Sequence, residues 1–442
     1  MTREQVQQQA LSALIKNKGG TVVLDTGTGK TKVAIDYILQ NNIVDIIILV
    51  PRINLKQVWE DELLKWGIKH YNDSKHSYYY KEDITKLIDI RIDTIQGAYT
   101  HIFRNHLLII ADEIHTMVSD TYKKFFYNHQ TSIIIGLTAT PEDNKPEKAK
   151  VYRDLIPIVY RFKKAAENGI INGRKYFVLR TDLSKENKKV DGWKYPISEF
   201  EVLKYWNRKV EEAGEKIEEY FFTNAIFNGN YFSSASKWCW LGQGDVEQKR
   251  LGWPYLKAVS GRKAFLLNQN TTPEIARRLL VPDSSKGFDD IEDCIRGDGR
   301  LVFSNQISQI QKILNDGYIV HSKKKKIEND KIIFGFNERV FNTIGSCESL
   351  EMGMNFKRAN VAIFESYVGS NTKASQKMGR TDRLPINENA IIIIIYINNS
   401  PCDGWYRKSG FPNFDDPNVQ VFNDVLTLKE AIWSLPNDES TI

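Results

Sequence analysis

The sequence predicts an α/β protein built from two tandem, doubly wound parallel sheets, with an aromatic-rich helical insertion in the second. The first observation is a series of short runs that are apolar throughout, which is typical of parallel strands covered by helices on both faces. The second is that several of these runs end in a polar or glycine-rich segment, as expected where ligands bind at the carboxyl ends of parallel strands. The third is the stretch from about 191 to 260, which breaks the alternation of strands and helices and is rich in aromatic residues.

The positions of these runs predict the domain organisation. The apolar runs are residues 22–24, 46–50, 107–110 and 133–135 in the first third of the chain, and 177–179, 301–303, 361–364 and 391–396 further on. A chain of 442 residues is too long for one ordinary core, because domains average roughly 100–200 residues. We expect a first lobe at 1–160, a second lobe at 161–442 and an inserted subdomain at about 191–260. Helical patterns occupy 5–17, 32–40, 146–173 and 421–435.

Composition limits the functional classes. The net charge is only +6, so any nucleic-acid surface must come from local clusters such as 163–164, 185–189 and 323–326. The alternative for each cluster is a solvated loop, which is the more common case for isolated lysine clusters. The four cysteines are widely spaced, which fits a reducing compartment and no structural metal site. Residues 1–10 lack a signal-peptide core, and the longest apolar run, 391–397, is too short to span a bilayer. We therefore expect a soluble, cytoplasmic protein.

The first apolar run leads into a candidate phosphate-binding loop. Its residues are Thr26, Gly27, Thr28, Gly29, Lys30 and Thr31, and a helical pattern follows. A triphosphate needs backbone N–H groups aimed at its oxygens, glycines that let the backbone approach, and a cation beside the outer phosphates. Thr31 would then hold Mg²⁺. The alternative is a glycine-rich turn between a strand and a helix that has no ligand.

An acidic pair follows the third apolar run. Asp112 and Glu113 come directly after a predicted buried strand. In a nucleotide site, Asp112 would contact Mg²⁺ through its water shell, and Glu113 would orient the water that attacks the γ-phosphate. A helix cap is the alternative interpretation. The phosphate-loop candidate upstream favours the catalytic one.

Two arginines in the second lobe complete the candidate chemistry. Arg380 and Arg383 lie three residues apart in a predicted helix, so they share a face and could meet phosphates held by the other lobe. Alternatively, they are surface charges paired with Asp382 or Glu388.

The order of these motifs resembles that of the superfamily-2 helicases, and the resemblance spans both lobes. The matching segments are 26–31, 51–52 with Gln57 and Trp59, 94–97, 112–115, 138–140, the segment around Gly353, and 376–383. The resemblance implies two RecA-like lobes, of which the first binds ATP and Mg²⁺. Nucleic acid would lie across both lobes, so the expected partner is single-stranded, forked or branched DNA, and RNA is not excluded.

The resemblance also implies roles for individual residues. Lys30 and Thr31 would bind phosphates and metal, Asp112 and Glu113 would perform the chemistry, and Gln376, Arg380 and Arg383 would complete the site from the second lobe. Arg52, Thr94 and Ser304 would lie near the nucleic-acid backbone. His115, Thr138, Thr140 and Gly353 would couple the two sites.

The chain also departs from the family pattern. Ile114 replaces the usual Ala of the acidic motif, and Asn355 stands where Asp is usual. An adenine-reading motif is not clear near Gln5, Gln7 and Gln8, although Gln7 is the candidate. The segment 164–171 resembles the bridge between lobes in recombination and repair helicases. The compact chain is most similar to phage branch-migration helicases, which implies an ATP-dependent DNA helicase or translocase in replication, recombination or repair, in the host cytoplasm if phage-encoded.

The aromatic insertion has two interpretations. Most of its rings should form the core of a small subdomain. Trp238 and Trp240, however, alternate within what we predict to be an extended segment beside flexible residues 233–237 and 242–244, so both could stack on the terminal base pair of a junction. Burial of both rings is the alternative.

Two rival functions stay open on the sequence alone. One is an RNA helicase of the same superfamily. The other is a scaffold that binds nucleic acid under nucleotide control without processive work, and the intact Glu113, Arg380 and Arg383 count against it.

Overall fold

The computed structural model describes most of the chain. The described residues are 1–70, 77–80, 83–100, 107–143, 145–163, 165–224, 230–280, 299–347, 356, 358–366, 374, 377–381 and 389–435. They form two separate sheets, one in each half of the chain. The expectation of an α/β fold with two parallel-sheet lobes is therefore confirmed.

The first sheet has eight strands in the order β3-β4-β5-β2-β6-β7-β1-β8. The strands are β1 (Gly20–Leu24), β2 (Asp45–Val50), β3 (Ile68–His70), β4 (Ser77–Tyr80), β5 (Asp83–Thr94), β6 (Leu108–Asp112), β7 (Ile133–Thr138) and β8 (Ile158–Phe162). The helices are α1 (Arg3–Asn17), α2 (Lys30–Asn41), α3 (Asn54–Lys65), α4 (Ile95–Thr100), α5 (Lys123–Asn128) and α6 (Pro146–Asp154). All strand pairs are parallel except those that join β3, β4 and β5.

Helices cover both faces of this sheet, which explains its apolar strands. In β2, Ile46 and Ile48 pack into the core that lies beneath α1, α2 and α3. Ile47 and Leu49 face the opposite core, beneath α4, α5 and α6. Because both faces are buried, the strand has no polar alternation. All parallel strands therefore present their carboxyl ends at the same edge of the sheet.

The second sheet has seven parallel strands in the order β11-β12-β10-β13-β14-β9-β15. They are β9 (Arg174–Thr181), β10 (Arg300–Ser304), β11 (Ile319–Val320), β12 (Thr343–Cys347), β13 (Val361–Phe364), β14 (Ala390–Ile397) and β15 (Val419–Phe422). The described helices after the insertion are α10 (Thr271–Leu280), α11 (Ile307–Ile313), α12 (Lys326–Asn337), α13 (Cys402–Lys408) and α14 (Val425–Trp433). Two buried clusters, one on each face, form its core.

The structure differs from the predicted helical pattern in two places. The stretch 146–173 is not helical throughout, because β8 lies within it and pairs with β1 at the edge of the first sheet. The C-terminal helix was predicted at 421–435 but begins only at Val425, because β15 includes residues 421 and 422. Both strands are at sheet edges, where one flank is open and the apolar pattern is weaker.

The insertion consists of three described helices: α7 (Glu199–Asn224), α8 (Tyr231–Cys239) and α9 (Val246–Asn268). They share an aromatic and aliphatic cluster that includes Trp238 and Tyr255. The predicted interpretation of most rings as core is consistent with this cluster. Helix α9 continues past residue 260, and the lobe and insertion boundaries stay predictions.

The expected geometry of Trp238 and Trp240 is wrong. Residues 233–237 belong to α8 rather than to a flexible loop. Two residues along a helix turn a side chain by about 200°, so the two rings point apart rather than to one side. Trp238 is only 6% exposed and stacks on Phe221 with ring centroids 5.4 Å apart, whereas Trp240 is 54% exposed. Trp238 is therefore part of the core and cannot stack on a base in this conformation.

Among the helices of the described part of the chain, none combines the length and the apolar character needed to cross a membrane.

Candidate nucleotide site at the carboxyl edge of the first sheet

The loop between β1 and α2 has the backbone conformation of a phosphate-binding loop. Gly27 and Gly29 have φ angles of 85° and 90°, in the left-handed region that favours glycine. A side chain at Gly29 would also collide with the amide of Gln7. Gly29 is the N-cap of α2, so the first amides of the helix and its dipole point toward the loop. Thr28 stabilises the turn, since its Oγ1 donates to the Asp25 carbonyl oxygen at 2.7 Å.

Lys30 and Gln7 both contact this loop. Lys30 begins α2, and its Nζ lies 3.4 Å from the carbonyl oxygen of Leu24. The ammonium is therefore already folded over the loop. Gln7 extends from α1, and its Nε2 donates to the Thr28 carbonyl oxygen at 2.8 Å. Thr26 and Thr31 are partly exposed beside it. The structure thus brings all seven predicted nucleotide-binding residues to one loop.

The acidic pair follows β6, at the same edge of the sheet. Asp112 is the last residue of β6, and Glu113 adopts the left-handed conformation with φ of 50°. Asp112 Oδ1 accepts from the Glu113 backbone N at 3.0 Å, and its Oδ2 accepts from Trp59 Nε1 at 3.0 Å. Both carboxylate oxygens of Asp112 therefore have fixed directions.

Burial dominates the electrostatics of this pair. Desolvation raises the pKa of Asp112 to about 6, helped by the charge of Glu113 and opposed by the Trp59 hydrogen bond and by Lys30. Burial likewise raises the pKa of Glu113, and the charges of Lys30, Arg380 and Lys163 oppose it. Arg380 belongs to the second half of the chain. Its charge therefore acts on a carboxylate of the first lobe.

The residues present fit Mg²⁺ and a triphosphate. A buried carboxylate with a raised pKa gains when a cation arrives, and Mg²⁺ prefers carboxylate and hydroxyl oxygens such as those of Asp112 and Thr31. Mg²⁺ usually binds through one or two side chains together with substrate phosphates, not in an all-protein cage. The described residues contain no group of three or more His, Cys, Asp or Glu that could hold a metal.

His115 connects the acidic pair to β7. Its Nδ1 shares a hydrogen bond of 2.9 Å with Thr138 Oγ1 and lies 3.4 Å from Glu113 Oε2. Thr138 Oγ1 in turn accepts from the Thr140 backbone N at 3.0 Å. Burial lowers the pKa of His115 to about 4, with the nearby Lys148 charge adding to the effect. The imidazole is therefore neutral near pH 7, within a continuous polar path from Glu113 to Thr140.

The candidate nucleic-acid residues of the two lobes, Arg52, Thr94 and Ser304, lie at or just beyond carboxyl ends of strands, but they differ in exposure. Arg52 is exposed just after β2, and Thr94 ends β5, which is paired with β2 at Val50 and Thr94. Ser304 ends β10 of the second sheet and is fully buried. Its Oγ accepts from the Gln306 backbone N at 3.3 Å. A backbone contact at this strand end would therefore involve Asn305 and Gln306, which are partly exposed.

Three predicted site residues, Gln376, Arg383 and Gly353, lie outside the described residues. Arg380 is described and partly exposed. The carbonyl oxygen of the next residue, Thr381, accepts from Asn172 Nδ2 at 3.1 Å. Asn172 is fully buried just ahead of β9. This contact fixes the arginine segment to the chain that connects the two sheets.

Sequence reasoning assigned no role in the nucleotide site to Trp59, Lys163 or Asn172. Trp59 was part of a family motif, but its partner Asp112 is distant in the chain. Lys163 pairs with Asp25 of the phosphate-loop region at 3.1 Å and donates to the Ala139 carbonyl oxygen at 2.5 Å. The basic cluster at 163–164 was the only sequence feature that pointed to it.

Two family models match the chain. Residues 1–143 match the family described as "Type III restriction enzyme, res subunit". Residues 287–385 match the helicase conserved C-terminal domain. The two matches fall in the first and second halves of the chain.

Among curated proteins, the chain is similar to "DNA 3'-5' translocase XPB2" of Sulfurisphaera tokodaii, with 32% identity over 403 residues, covering 88% of this chain and 80% of the relative. It is also similar to "Putative ATP-dependent RNA helicase QP509L" of African swine fever virus, with 34% identity over 137 residues. That match covers only 29% of this chain and 26% of the viral protein.

Two solved structures share the fold. The Pyrococcus furiosus Hef helicase domain has a TM-score of 0.51 and 17% identity, covering 91% of this chain and 97% of that one. Dbp5 of S. cerevisiae, bound to RNA and ADP BeF3, has a TM-score of 0.53 and 10% identity, covering 97% and 92%. At these identities the likeness concerns the fold alone. The family models and the match to XPB2, which covers 88% of this chain, go further: the chain belongs to the superfamily-2 helicases, and it is an ATP-hydrolysing enzyme.

Proposed function

We propose that this protein is an ATP-driven DNA translocase that moves in the 3'-5' direction and unwinds or branch-migrates forked and branched DNA in replication, recombination or repair. The observation that carries the proposal is the partly buried acidic pair of the first lobe, in which the charges of both Lys30 and Arg380 act on Glu113. The preference for DNA and the direction are supported by the match to XPB2 over 403 residues, because that relative is named as a DNA 3'-5' translocase.

In the proposed mechanism, the triphosphate of ATP binds to the loop between β1 and α2. The backbone amides beside Gly27 and Gly29, with Thr26 and Thr28, would surround its oxygens, while Lys30 would meet the outer phosphates. Thr31 would hold Mg²⁺ directly and Asp112 would contact it through its water shell, and the ion would neutralise charge on the phosphates. Gln7 lies where it could contact the nucleotide from α1, since it already bonds to the loop at Thr28.

Hydrolysis would depend on groups from both lobes. Glu113 would orient the attacking water and accept its proton, and its desolvated carboxylate is a stronger base than an exposed one. Arg380, with Arg383 and Gln376, would meet the charge that develops on the γ-phosphate. Because the arginine comes from the other lobe, hydrolysis would depend on how closely the lobes approach.

Movement along DNA would follow from the polar path beside the acidic pair. A change in the contacts of Glu113 during hydrolysis would be transmitted to β7 through His115, Thr138 and Thr140. Gly353 would couple the nucleotide site to the second lobe. Arg52, Thr94 and the strand end at Ser304 would contact the phosphate backbone. Such contacts position the protein without reading sequence, so binding would be largely sequence-independent.

RNA helicase activity is the second candidate. It is supported by the local similarity to QP509L, which is confined to 137 residues. The longer match to XPB2 favours DNA. For location we propose the cytoplasm, because Cys239 and Cys402 are buried thiols that form no disulfide with any described residue, as in a reducing compartment.

The test compares ATP hydrolysis and strand displacement on matched DNA and RNA. The substrates are duplexes with a 3' or a 5' single-stranded tail and a four-way DNA junction. We expect DNA to stimulate hydrolysis, the 3'-tailed DNA duplex to be unwound, and the junction to be branch-migrated. Stimulation by RNA but not by DNA would replace the proposal with the second candidate.

Catalytic variants serve as controls for the same assay. Glu113→Gln should keep ATP binding and lose about 10²–10⁴-fold in hydrolysis, because it removes the general base. Lys30→Ala should instead weaken ATP binding, measured by titration with a fluorescent ATP analogue. Parent-like hydrolysis by Glu113→Gln would contradict the catalytic assignment.

A further inference from the structure

The side chain of Asp25 makes two contacts that the proposed mechanism does not use. Asp25 directly follows β1 and leads into the phosphate-binding loop. Its Oδ1 lies 3.1 Å from Lys163 Nζ, and its Oδ2 accepts from the backbone N of Ala165 at 3.1 Å. Lys163 and Ala165 belong to the connection between the two sheets. Both carboxylate oxygens of Asp25 are therefore held by this connection.

The backbone of Asp25, in contrast, belongs to the phosphate-binding loop. Its carbonyl oxygen accepts from Thr28 Oγ1 at 2.7 Å and from the Thr28 backbone N at 3.4 Å. One residue thus closes the turn of the loop with its main chain and holds the connection with its side chain. A movement of the loop when phosphates bind would be transmitted directly to the connection.

Neither phosphate binding nor stability accounts for a carboxylate at this position. A negative charge close to a triphosphate repels it, so the Asp25 side chain is no phosphate ligand. The side chains of Lys163 and Asp25 are 40% and 21% exposed. Ion pairs with this much exposure contribute little to stability. The geometry of the contacts is therefore the more informative feature of the pair.

The connection is well packed beyond Ala165. Ala165, Ile170 and Ile171 are buried in the core of the first lobe. The backbone N of Ile170 donates to the Ala165 carbonyl oxygen at 2.8 Å, which closes a compact turn. Arg3 Nη2 donates to the carbonyl oxygen of Ile170 at 3.2 Å. This segment is thus a firm part of the first lobe rather than a flexible linker.

The far end of the connection holds the arginine segment of the second lobe. Asn172 is fully buried, and its Nδ2 donates to the carbonyl oxygen of Thr381 at 3.1 Å. Thr381 directly follows Arg380. A continuous series of contacts therefore leads from the phosphate-binding loop, through Asp25 and residues 163–172, to the neighbour of Arg380.

We propose that Asp25 is a positioning residue for ATP hydrolysis, which ties the connection between the lobes to the phosphate-binding loop and thereby sets the place of Arg380 relative to the γ-phosphate. The inference rests on the proposed function, because it requires an arginine of the second lobe to act on a nucleotide held by the first. Asp25 itself would touch no phosphate. It would act through the connection, and only on the step in which Arg380 takes part.

The first test is Asp25→Asn, which keeps the size of the side chain and removes the charge that pairs with Lys163. We expect the affinity for a fluorescent ATP analogue to be unchanged or higher, since a negative charge near the phosphates is lost. The DNA-stimulated kcat should fall by about tenfold or more, because misplacement of a group by about 1 Å can cost about 10²-fold in rate. Weaker binding of the analogue would show damage to the loop itself and would overturn the proposal.

Two double variants test the route through which Asp25 acts. Lys163→Gln removes the same pair, but the charge of Lys163 also acts on Glu113, so this variant is informative only in combination. Asp25→Asn with Lys163→Gln should be no slower than Lys163→Gln alone. Asp25→Asn with Arg380→Ala should be no slower than Arg380→Ala alone. Additive losses in either combination would overturn the proposal.

Arg161→Gln is the matched control. It breaks the ion pair of Arg161 with Asp143, which lies in the same part of the chain but does not include the phosphate-binding loop. Its stimulated kcat should equal that of the parent, and a loss as large as that of Asp25→Asn would contradict a specific effect of Asp25.

Failure of the proposed function gives a different result from failure of this inference. The first would appear in the parent protein as ATP hydrolysis that DNA does not stimulate, or as a parent-like rate in Arg380→Ala. If DNA stimulates the parent and Arg380→Ala is slow, a parent-like stimulated kcat in Asp25→Asn refutes the positioning by Asp25 alone.

Discussion

At the scale of single residues, the geometry of the acidic site depends on a tryptophan. Trp59 is 1% exposed, and its Nε1 donates to Asp112 Oδ2 at 3.0 Å. The backbone N of Glu113 holds the other oxygen at the same distance. A carboxylate held at both oxygens keeps one orientation, which a Mg²⁺ site of strict octahedral geometry requires. Trp59 is therefore a positioning residue for the candidate metal ligand.

Trp59→Phe should weaken the response to Mg²⁺ while the protein stays folded. Phenylalanine keeps most of the buried ring but donates no hydrogen bond, so Asp112 can rotate. Loss of such a supporting contact typically costs about 10–100-fold in metal affinity. We expect the Mg²⁺ concentration for half-maximal ATP hydrolysis, and for Mg²⁺-dependent binding of a fluorescent ATP analogue, to rise by at least about tenfold.

A matched control exists in the same region of the chain. Trp66 Nε1 donates to Glu62 at 2.9 Å, which is the same kind of contact away from the acidic pair. Trp66→Phe should leave the Mg²⁺ response unchanged. If both variants respond to Mg²⁺ like the parent, the positioning role of Trp59 is refuted.

These contacts also show which parts of the acidic site could be predicted from the sequence. The phosphate loop and the acidic pair are local patterns, so spacing alone located Gly27, Gly29, Asp112 and Glu113 at strand ends. The contact from Trp59 to Asp112 joins residues 53 positions apart. Nothing local to Trp59 specifies its partner, because the contact exists only once β2 and β6 lie side by side and α3 packs on them.

At the scale of helices and strands, whether an element could be predicted from the sequence depended on how deeply it is buried. Strand β14 is buried along its whole length and contains five consecutive isoleucines at 391–395, so it was predicted from the sequence. Strand β8 is mostly half-exposed at a sheet edge and includes Arg161, so its pattern was taken for a helix. Helix α8 was missed for a different reason. Its serines and glycine-rich flanks favour a loop, whereas packing of Trp238 against α7 and α9 holds it helical.

Trp238 and Trp240 should therefore have opposite effects on stability. Trp238→Ala removes a ring that stacks on Phe221 and makes an edge contact with Tyr220. Removal of a buried tryptophan costs about 3–5 kcal/mol. Trp240 contacts Phe232 edge-on but is more than half exposed. We expect Trp238→Ala to lower clearly the denaturant concentration at which the insertion is half unfolded. Trp240→Ala should change this concentration little. Equal midpoints would show that Trp238 does not hold the helices together.

At the scale of the whole molecule, catalysis should depend on the approach of the two lobes. Arg380 and Glu113 come from different sheets, yet the arginine charge opposes the rise in the pKa of Glu113. The arginine segment is held in turn by Asn172, whose Nδ2 donates to the Thr381 carbonyl oxygen beside Arg380. The connection between the sheets thus fixes where the arginine can reach. The sequence predicted that Arg380 would meet the other lobe, but no local pattern could predict its support by Asn172, since that contact joins residues 209 positions apart.

Arg380→Ala should leave both binding steps intact and remove most DNA-stimulated hydrolysis. The guanidinium would act only on charge that develops at the γ-phosphate, so it contributes little to ATP or DNA affinity, whereas an arginine finger is worth about 10³–10⁵ in rate. Steady-state hydrolysis with and without DNA, beside titrations of ATP analogue and DNA, separates these quantities. Arg407→Ala is the control, because Arg407 is an exposed arginine of the second lobe that pairs with Asp403 at 3.0 Å. A stimulated rate in Arg380→Ala equal to that of Arg407→Ala would make Arg380 an ordinary surface charge, and hydrolysis would then have to be completed without it.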